Sequence, residues 1–562
     1  MVPVRAGRTG LSPIISATRE LMNWLCRRLS ILAFSSALLA STIGCRSTDN
    51  SPAPTLPASI KAIFDKPAYK GATWGLRVVD LTTGQALIDT EPARQFFIGS
   101  VRKVFSVGEL LNQIGPTHTY DTPVYRRGEV TPAGVLQGDL ILVASGDLTM
   151  GGRTNPDGTI AISNWDHNEA NALGNADLTK PDPLAGYAAL AKQVAASGIR
   201  QITGNIIIDD RLFQPFNFRN EFNLSPIFVN DDVVDLSINP TSPGQLAAVQ
   251  YRPHSAALSV SNALHTTAAN TTDDIKLDPE LPTCIGKPKC TSTISVNLPV
   301  NYTPPMTGQW PLVRTVRITE PANYARTVFI EKLQAAGVKV TTPAVAANPT
   351  QLLPSKDAYA TYTRVALLQG MPYSEDARFI MKISYNIGAD TSLLLYGLTQ
   401  GVDNMKAALL AETRNLQLNY GISPAHYMFY DGSGGGETTA TNSAVTHLLA
   451  DMSRRPAFPQ YQAAFPILGV DGSLASVTAF TSDSTLAPAK GQVYAKTGTY
   501  ITGNDAGLLL KGQALAGYIY TKSGKKLAFE LVVNNVPLKN LPDVIQVFQD
   551  EGTISATLWR DN

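Results

Sequence analysis

At 562 residues the chain is too long for one ordinary core and has room for roughly three or four domain-sized units. Hydrophobic residues make up 44% and charged residues 16%, a balance that excludes a largely disordered chain. The formal net charge is +1 and no basic stripe is present, so a nucleic-acid partner is not expected.

Arg27 and Arg28 precede the apolar run LSILAFSSALLASTIG, which ends at Cys45. A positive flank, a short apolar core and small residues at its end describe an export signal over residues 1–45. The run is shorter than the roughly 20 apolar residues a membrane span needs. Translation can start at Met1 or Met22, since residues 1–21 add nothing to the pattern. Thr42-Ile43-Gly44-Cys45 is similar to a bacterial lipobox, with Thr42 where leucine is usual. Two outcomes stay open: lipidation of Cys45 and membrane anchoring, or plain cleavage and release. The polar, Pro-rich stretch 46–57 reads as a linker.

Next, WGLRVVDL and QALID flank Thr82-Thr83-Gly84 and predict a β-hairpin. In FFIGSVRKVFSVGELLNQIG, apolar residues recur at helical spacing and Gly115-Pro116 stops the run. From 113 to 314 short β-like runs such as GDLILVASGD and TGNIIIDDRLF alternate with turn-forming clusters, which predicts inserted, mostly β material. Residues 150–185 and 266–292 read as long loops, and the Gly-Asp pairs 138–139 and 146–147 as turn formers. Cys284 and Cys290 bracket the short loop CIGKPKC and read as a local disulfide, with a pair of free thiols as the alternative. From about 315 the pattern returns to α/β. NYARTVFIEKLQAAG is an amphipathic helix, and ARFIMKISYNIGADTSLLLYGLTQG is one long helical region. QVYAKTGTY, ALAGYIYT and KKLAFELVVNN are strands, the last two joined by a turn at 521–524.

Three short motifs carry chemistry. Ser100-Val101-Arg102-Lys103 puts a hydroxyl and an amine three residues apart, on one face of a helix. A serine needs a neighbouring base, and lysine serves only if burial or a second cation depresses its pKa. Ser384-Tyr385-Asn386 supplies a second hydroxyl to relay a proton and an amide to hold substrate. Lys496-Thr497-Gly498 lies on a strand. There Lys496 is the expected second cation, Thr497 and Thr499 bond a substrate carboxylate, and Gly498 lets substrate backbone approach the strand edge. Each motif alone has a bland reading: Ser100, Ser384 and Asn386 as helix-start residues, Lys103 as a solvated side chain, Lys496-Thr497-Gly498 as a strand end. S-x-x-K recurs at Ser523 and S-x-N at Ser237 and Ser295, but only Ser100, Ser384 and Lys496 stand in the right order and contexts.

With this ordered trio the chain resembles the class C low-molecular-mass penicillin-binding proteins, the D-alanyl-D-alanine carboxypeptidase/endopeptidase family. The long interval from Ser100 to Ser384 fits that family, as do GDLILVASGD, ITGNIIIDDRLF, NDDVVDLSINP, YDGSGGG and PILGVDGSL. The resemblance implies an α/β (α+β) transpeptidase domain of the β-lactamase-like type, made from 58–112 and 315–562, with β-rich accessory material inserted at 113–314. It implies an acyl-enzyme on Ser100, with Lys103 as general base and Ser384 as proton shuttle. Asn386, Lys496, Thr497 and Thr499 would position substrate, and the backbone N–H groups of Ser100 and Thr499 would form an oxyanion hole. The implied partners are peptidoglycan muropeptides, with β-lactams as covalent inhibitors, in the periplasm. Departures are Gly99 where alanine is common, the charge of Arg102, and Gly435-Gly436-Glu437 where Leu-Ser-Arg is usual.

The rivals are a β-lactamase or esterase with the same trio, and a catalytically silent peptidoglycan-binding protein. Asp431-Gly432-Ser433-Gly434 reads as a loop edging the site, with Asp431 structural. The six histidines show no ligand spacing such as H-E-x-x-H, so neither a metal nor any other cofactor is expected. The oligomeric state is not legible.

Overall fold

Strands from opposite ends of the chain build the central sheet. In the computed structural model, which describes residues 56–279, 287–504, 507–540 and 542–562, the expected hairpin forms from Thr73–Asp80 and Ala86–Asp89. Its longer strand pairs with Lys526–Leu538, Trp74 facing Val533, and Gly507–Tyr520 and Val493–Asn504 follow outward. All pairings in this five-stranded sheet are antiparallel. The expected export signal, Cys45 and nearly all of the linker lie outside the described residues.

Side chains on a strand alternate between faces, and Lys526–Leu538 shows this plainly. Leu527, Phe529, Leu531 and Val533 join the C-terminal helix Pro542–Asp561, through Ile554, Leu558 and Trp559, in one apolar cluster. Ala528 and Val532 face the other way, into a cluster built by the helices Lys103–Ile114, Tyr373–Ile383, Asn386–Thr399 and Asn442–Met452. The small residues Ala514, Ala516 and Ala528 let those helices sit close to the sheet.

The accessory part is more mixed than expected. Thr122–Val130 and Val135–Val143 pair antiparallel, while Ile206–Asp209 runs parallel to Val135–Val143, with the helix Ala185–Ala196 in the crossover. Lys339–Val340 and Thr363–Leu368 join the same sheet. The helix Pro321–Ala335 shares its apolar cluster, which runs from Val124 to Ala366. The expected boundary at 315 therefore falls inside the strand Leu312–Arg317, which pairs with Val233–Asn239. Periodicity marked GDLILVASGD, TGNIIIDDRLF and the helix in NYARTVFIEKLQAAG but carries no record of a distant partner.

Three local expectations change. The single helical region around Ser384 is two helices, broken where Ser384 takes a left-handed conformation at φ 65°. Gly138-Asp139 lies within a strand, with Asp139 bonded to Arg127 and Asn205; only Asp147 caps a turn, accepting from the N–H groups of Thr149 and Met150. Within the expected loop 266–292, Asp274–Asp278 is a strand. Cys290 is buried and disulfide-bonded, and its expected partner Cys284 lies outside the described residues.

Candidate active site

The sheet edge Val493–Asn504 and the helical cluster meet at the short 3₁₀ turn Gly99–Arg102, which feeds the helix Lys103–Ile114. That turn holds Ser100 between the two layers. Contact is close: a Cβ on Gly498 would meet the Ile98 carbonyl oxygen at 2.1 Å. The room left by this glycine is therefore filled by the protein's own backbone, rather than kept for a substrate strand. Gly434, at φ 102°, closes on Gly99 from the other side, where a Cβ would lie 2.1 Å from the Gly99 carbonyl oxygen.

The three motifs converge here. The Lys103 amine, fully buried, lies 2.7 Å from Ser100 Oγ, 2.7 Å from Asn386 Oδ1 and 2.9 Å from the Ser433 carbonyl oxygen. Burial first, and the Arg219 cation second, pull its pKa down to about 7, against the carboxyl groups of Asp390, Asp431 and Glu169. The Lys496 amine donates to Ser384 Oγ at 2.9 Å and to the Thr497 carbonyl at 2.7 Å. Burial and the neighbouring Lys103 hold Lys496 well below the usual lysine range. The left-handed break at Ser384 sets its hydroxyl against the Lys496 strand, a geometry an unbroken helix would not give.

The remaining expected residues find partners within the protein. Thr497 Oγ1 lies 2.8 Å from Ser473 Oγ, and Thr499 Oγ1 donates to the buried Gln513 at 2.9 Å. Asn386 gives its oxygen to Lys103, so its NH₂ end is the one left for another ligand. Asp431 is structural: its Oδ1 accepts the backbone N–H groups of Ser433, Gly434 and Gly435 at 3.0, 2.7 and 3.0 Å.

Sequence reasoning missed Ser433, Ser473 and Arg219. The first two lie inside YDGSGGG and PILGVDGSL, segments noted as family-like, and that was the available signal. Arg219 had none. It sits at the exposed tip of the hairpin Phe216–Phe218 and Phe222–Leu224, and its Nη2 donates to Ser433 Oγ at 3.1 Å.

A second polar cluster lies in the accessory part. Asp166, His167 and Asp231 hold ligand-type atoms within 4.8 Å of one another. A cation is already built into that cluster: Arg153 donates to both Asp166 oxygens at 2.9 and 2.8 Å and from Nε to Asp231 at 2.9 Å. His167 spans Asp235 at 2.7 Å and Asp231 at 2.8 Å. These groups satisfy one another as a buried ionic network, and the donor set fits a guanidinium rather than a metal ion.

The model of the D-Ala-D-Ala carboxypeptidase 3 (S13) family matches residues 56–550. A D-alanyl-D-alanine carboxypeptidase of Actinomadura sp. (strain R39) is 27% identical over 558 residues, covering 95% of this chain and 89% of its own length. Among solved structures, penicillin binding protein 4 (dacB) of Haemophilus influenzae aligns over 90% of this chain and 100% of that chain, with TM-score 0.64 and 17% identity. The same protein complexed with a β-lactam gives TM-score 0.63 at 18% identity. The fold is therefore that of penicillin binding protein 4. The chain belongs to the D-Ala-D-Ala carboxypeptidase 3 (S13) family and is a serine hydrolase acting on peptidoglycan. Action on the cell wall makes it an enzyme of the extracellular or periplasmic space. Among the described residues no helix is long and apolar enough to cross a membrane.

Proposed function

We propose that the chain cleaves the terminal D-Ala from stem peptides ending in D-Ala-D-Ala, and cross-links made through D-Ala, by way of an acyl-enzyme on Ser100. The observation that carries this reading is the 2.7 Å contact between the Ser100 hydroxyl and a buried Lys103 amine with a pKa near neutrality. Neutral Lys103 takes the hydroxyl proton as Ser100 Oγ bonds the carbonyl carbon. The backbone N–H groups of Ser100 and Thr499 receive the oxyanion. Ser384, bonded to Lys496, passes a proton to the departing amine as the peptide C–N bond breaks. Water then cleaves the ester and restores Ser100. Asn386 through its NH₂ group, with Lys496, Thr497 and Thr499, orients the peptide.

β-Lactams acylate the same oxygen in this reading, consistent with the β-lactam complex solved for the Haemophilus influenzae protein. Catalysis needs elements on both sides of the accessory part, residues 73–115 and 373–562, around one site. Export through residues 1–45 belongs to the same proposal, and the intact mass of the mature N-terminus separates a lipidated Cys45 from a released chain.

The test is labelling with a fluorescent penicillin followed by intact-mass analysis. The expected result is a lasting adduct on Ser100, absent in Ser100→Ala. Rapid turnover of the adduct, or none in the wild type, would sink the reading. Digestion of purified muropeptides then separates loss of terminal D-Ala from opening of cross-links.

A further inference from the structure

The hairpin carrying Arg219 is tied to the catalytic part. Phe218 and Phe222 are 3% and 1% exposed and pack in the same apolar cluster as the nucleophile helix. Arg317 lies over the Phe222 ring, its guanidinium carbon 5.3 Å from the centroid, and 3.4 Å from Glu221. The turn is tight: Glu221 N–H donates to the Phe218 carbonyl and Asn220 N–H to Asn217 Oδ1. Arg219 and Asn220 both have positive φ, 49° and 63°. Asparagine tolerates that region, but arginine is not favoured there, so the surroundings hold it at a cost. What the conformation achieves is visible. The Arg219 guanidinium stands over Phe218 at 5.0 Å and reaches Ser433 Oγ, while the Ser433 carbonyl accepts from the Lys103 amine.

We propose that Arg219 is a positioning residue for the serine–lysine chemistry: clamped on Ser433 by the accessory hairpin, its guanidinium repels a proton from the Lys103 amine and so helps activate Ser100. This rests on the Ser100 acylation reading above. The charged groups facing Lys103 come from five elements. Asp390 lies on the helix Asn386–Thr399, Asp431 in the glycine-rich loop, Glu169 in the turn His167–Glu169, Lys496 on the sheet edge and Arg219 on the hairpin. Asp431 is occupied by backbone N–H groups. Burial and Asp431 push Asp390 up to about 8, which weakens its hold on a Lys103 proton. Lys496 is itself held well below the ordinary lysine range. Arg219 brings the one guanidinium of this set, a cation on an element outside the three motifs.

The experiment measures the second-order rate of penicillin acylation from pH 5 to 10 for the wild type, Arg219→Gln and Arg219→Lys. Removing the cation favours protonated Lys103, so the acid limb of Arg219→Gln should move to higher pH by on the order of one unit. Acylation would then be about tenfold slower at pH 6 and within about twofold of wild type at pH 9. Arg219→Lys should bring the limb back toward the wild-type position. A hairpin with only a structural role would slow Arg219→Gln by one factor at all pH values, and an unmoved limb overturns the proposal. Absence of Ser100 labelling in the wild type is a separate result, which removes the acylation reading and this one with it.

Discussion

Arg102, two residues beyond Ser100, turns away from the site and pairs with Glu412, Nη2 to Oε2 at 2.5 Å, with the side chains 0% and 2% exposed. The extra charge inside the S-x-x-K motif is therefore a structural tie. Its Nε also donates to the Asp431 carbonyl at 2.9 Å, and its guanidinium lies 4.0 Å from the centre of the Phe429 ring. The turn carrying Ser100, the helix Met405–Asn419 and the glycine-rich loop are thereby locked together. Arg102→Met would leave Glu412 buried without its cation, at a cost of about 3–5 kcal/mol. Chemical denaturation should show that loss, and Arg102→Met combined with Glu412→Leu should recover much of it. Equal stability of the single and double variants would contradict this account.

Lys103 with a pKa of about 7 fixes the sign of a pH effect. Below that value the amine is protonated and cannot take the Ser100 proton. Penicillin acylation should therefore rise with pH through about 7 and level off above it. Lys103→Arg keeps the positive charge at all pH and should lower acylation by at least about 10³-fold, at the scale general-base loss produces. Stopped-flow or gel-based acylation rates check both, and a flat profile from pH 5 to 9 would count against Lys103 as the base.

Gly498→Ala tests the contact between the sheet edge and the turn carrying Ser100. The added methyl group would meet the Ile98 carbonyl oxygen at 2.1 Å, with Ser100 N at 3.0 Å. Strand and turn must move apart, and a displacement on the order of 1 Å can cost about 10²-fold in rate. Acylation should fall by that order while the chain still folds, as read by circular dichroism and thermal melting. Wild-type acylation in this variant would mean that the turn can yield freely.

The buried network around His167 gives a stability prediction. Despite the opposing effect of burial, Asp235, Asp166 and Asp231 raise its pKa to about 10, against roughly 6.5 when unfolded. A folded-state pKa above the unfolded one means the stabilisation is complete below about pH 6.5 and disappears as pH climbs through 10. Urea denaturation from pH 6 to 10 should show stability declining in the wild type, with a shallower slope in His167→Gln. Identical slopes would remove His167 from the account.

Much of the site was legible because its chemistry needs fixed residue types in short windows. Ser100 and Lys103 are one helical turn apart, Ser384 and Asn386 two residues apart, and Lys496 to Thr499 contiguous. Their mutual placement was not legible. The helical pattern continues unbroken across Ser384, since apolar residues on both sides serve the same core. Nothing in it announces the left-handed residue that aims the hydroxyl. Lys496 was the expected second cation, and it does repel Lys103; Arg219, from a hairpin more than a hundred residues away in the chain, adds a third cation that no local pattern announced.

By itself the sequence determined the local units: the hairpin before Ser100, the helix after it, the terminal strands, and the residue types that meet at the candidate site. These follow from side-chain periodicity and turn chemistry, which act over a few residues. Only the tertiary structure decided which strands share a sheet across residue 315, that Gly498 makes room for backbone, and that Arg219 of the accessory hairpin reaches Ser433. Those outcomes depend on packing and charge between segments far apart in the chain, and such energies leave no trace in a local pattern.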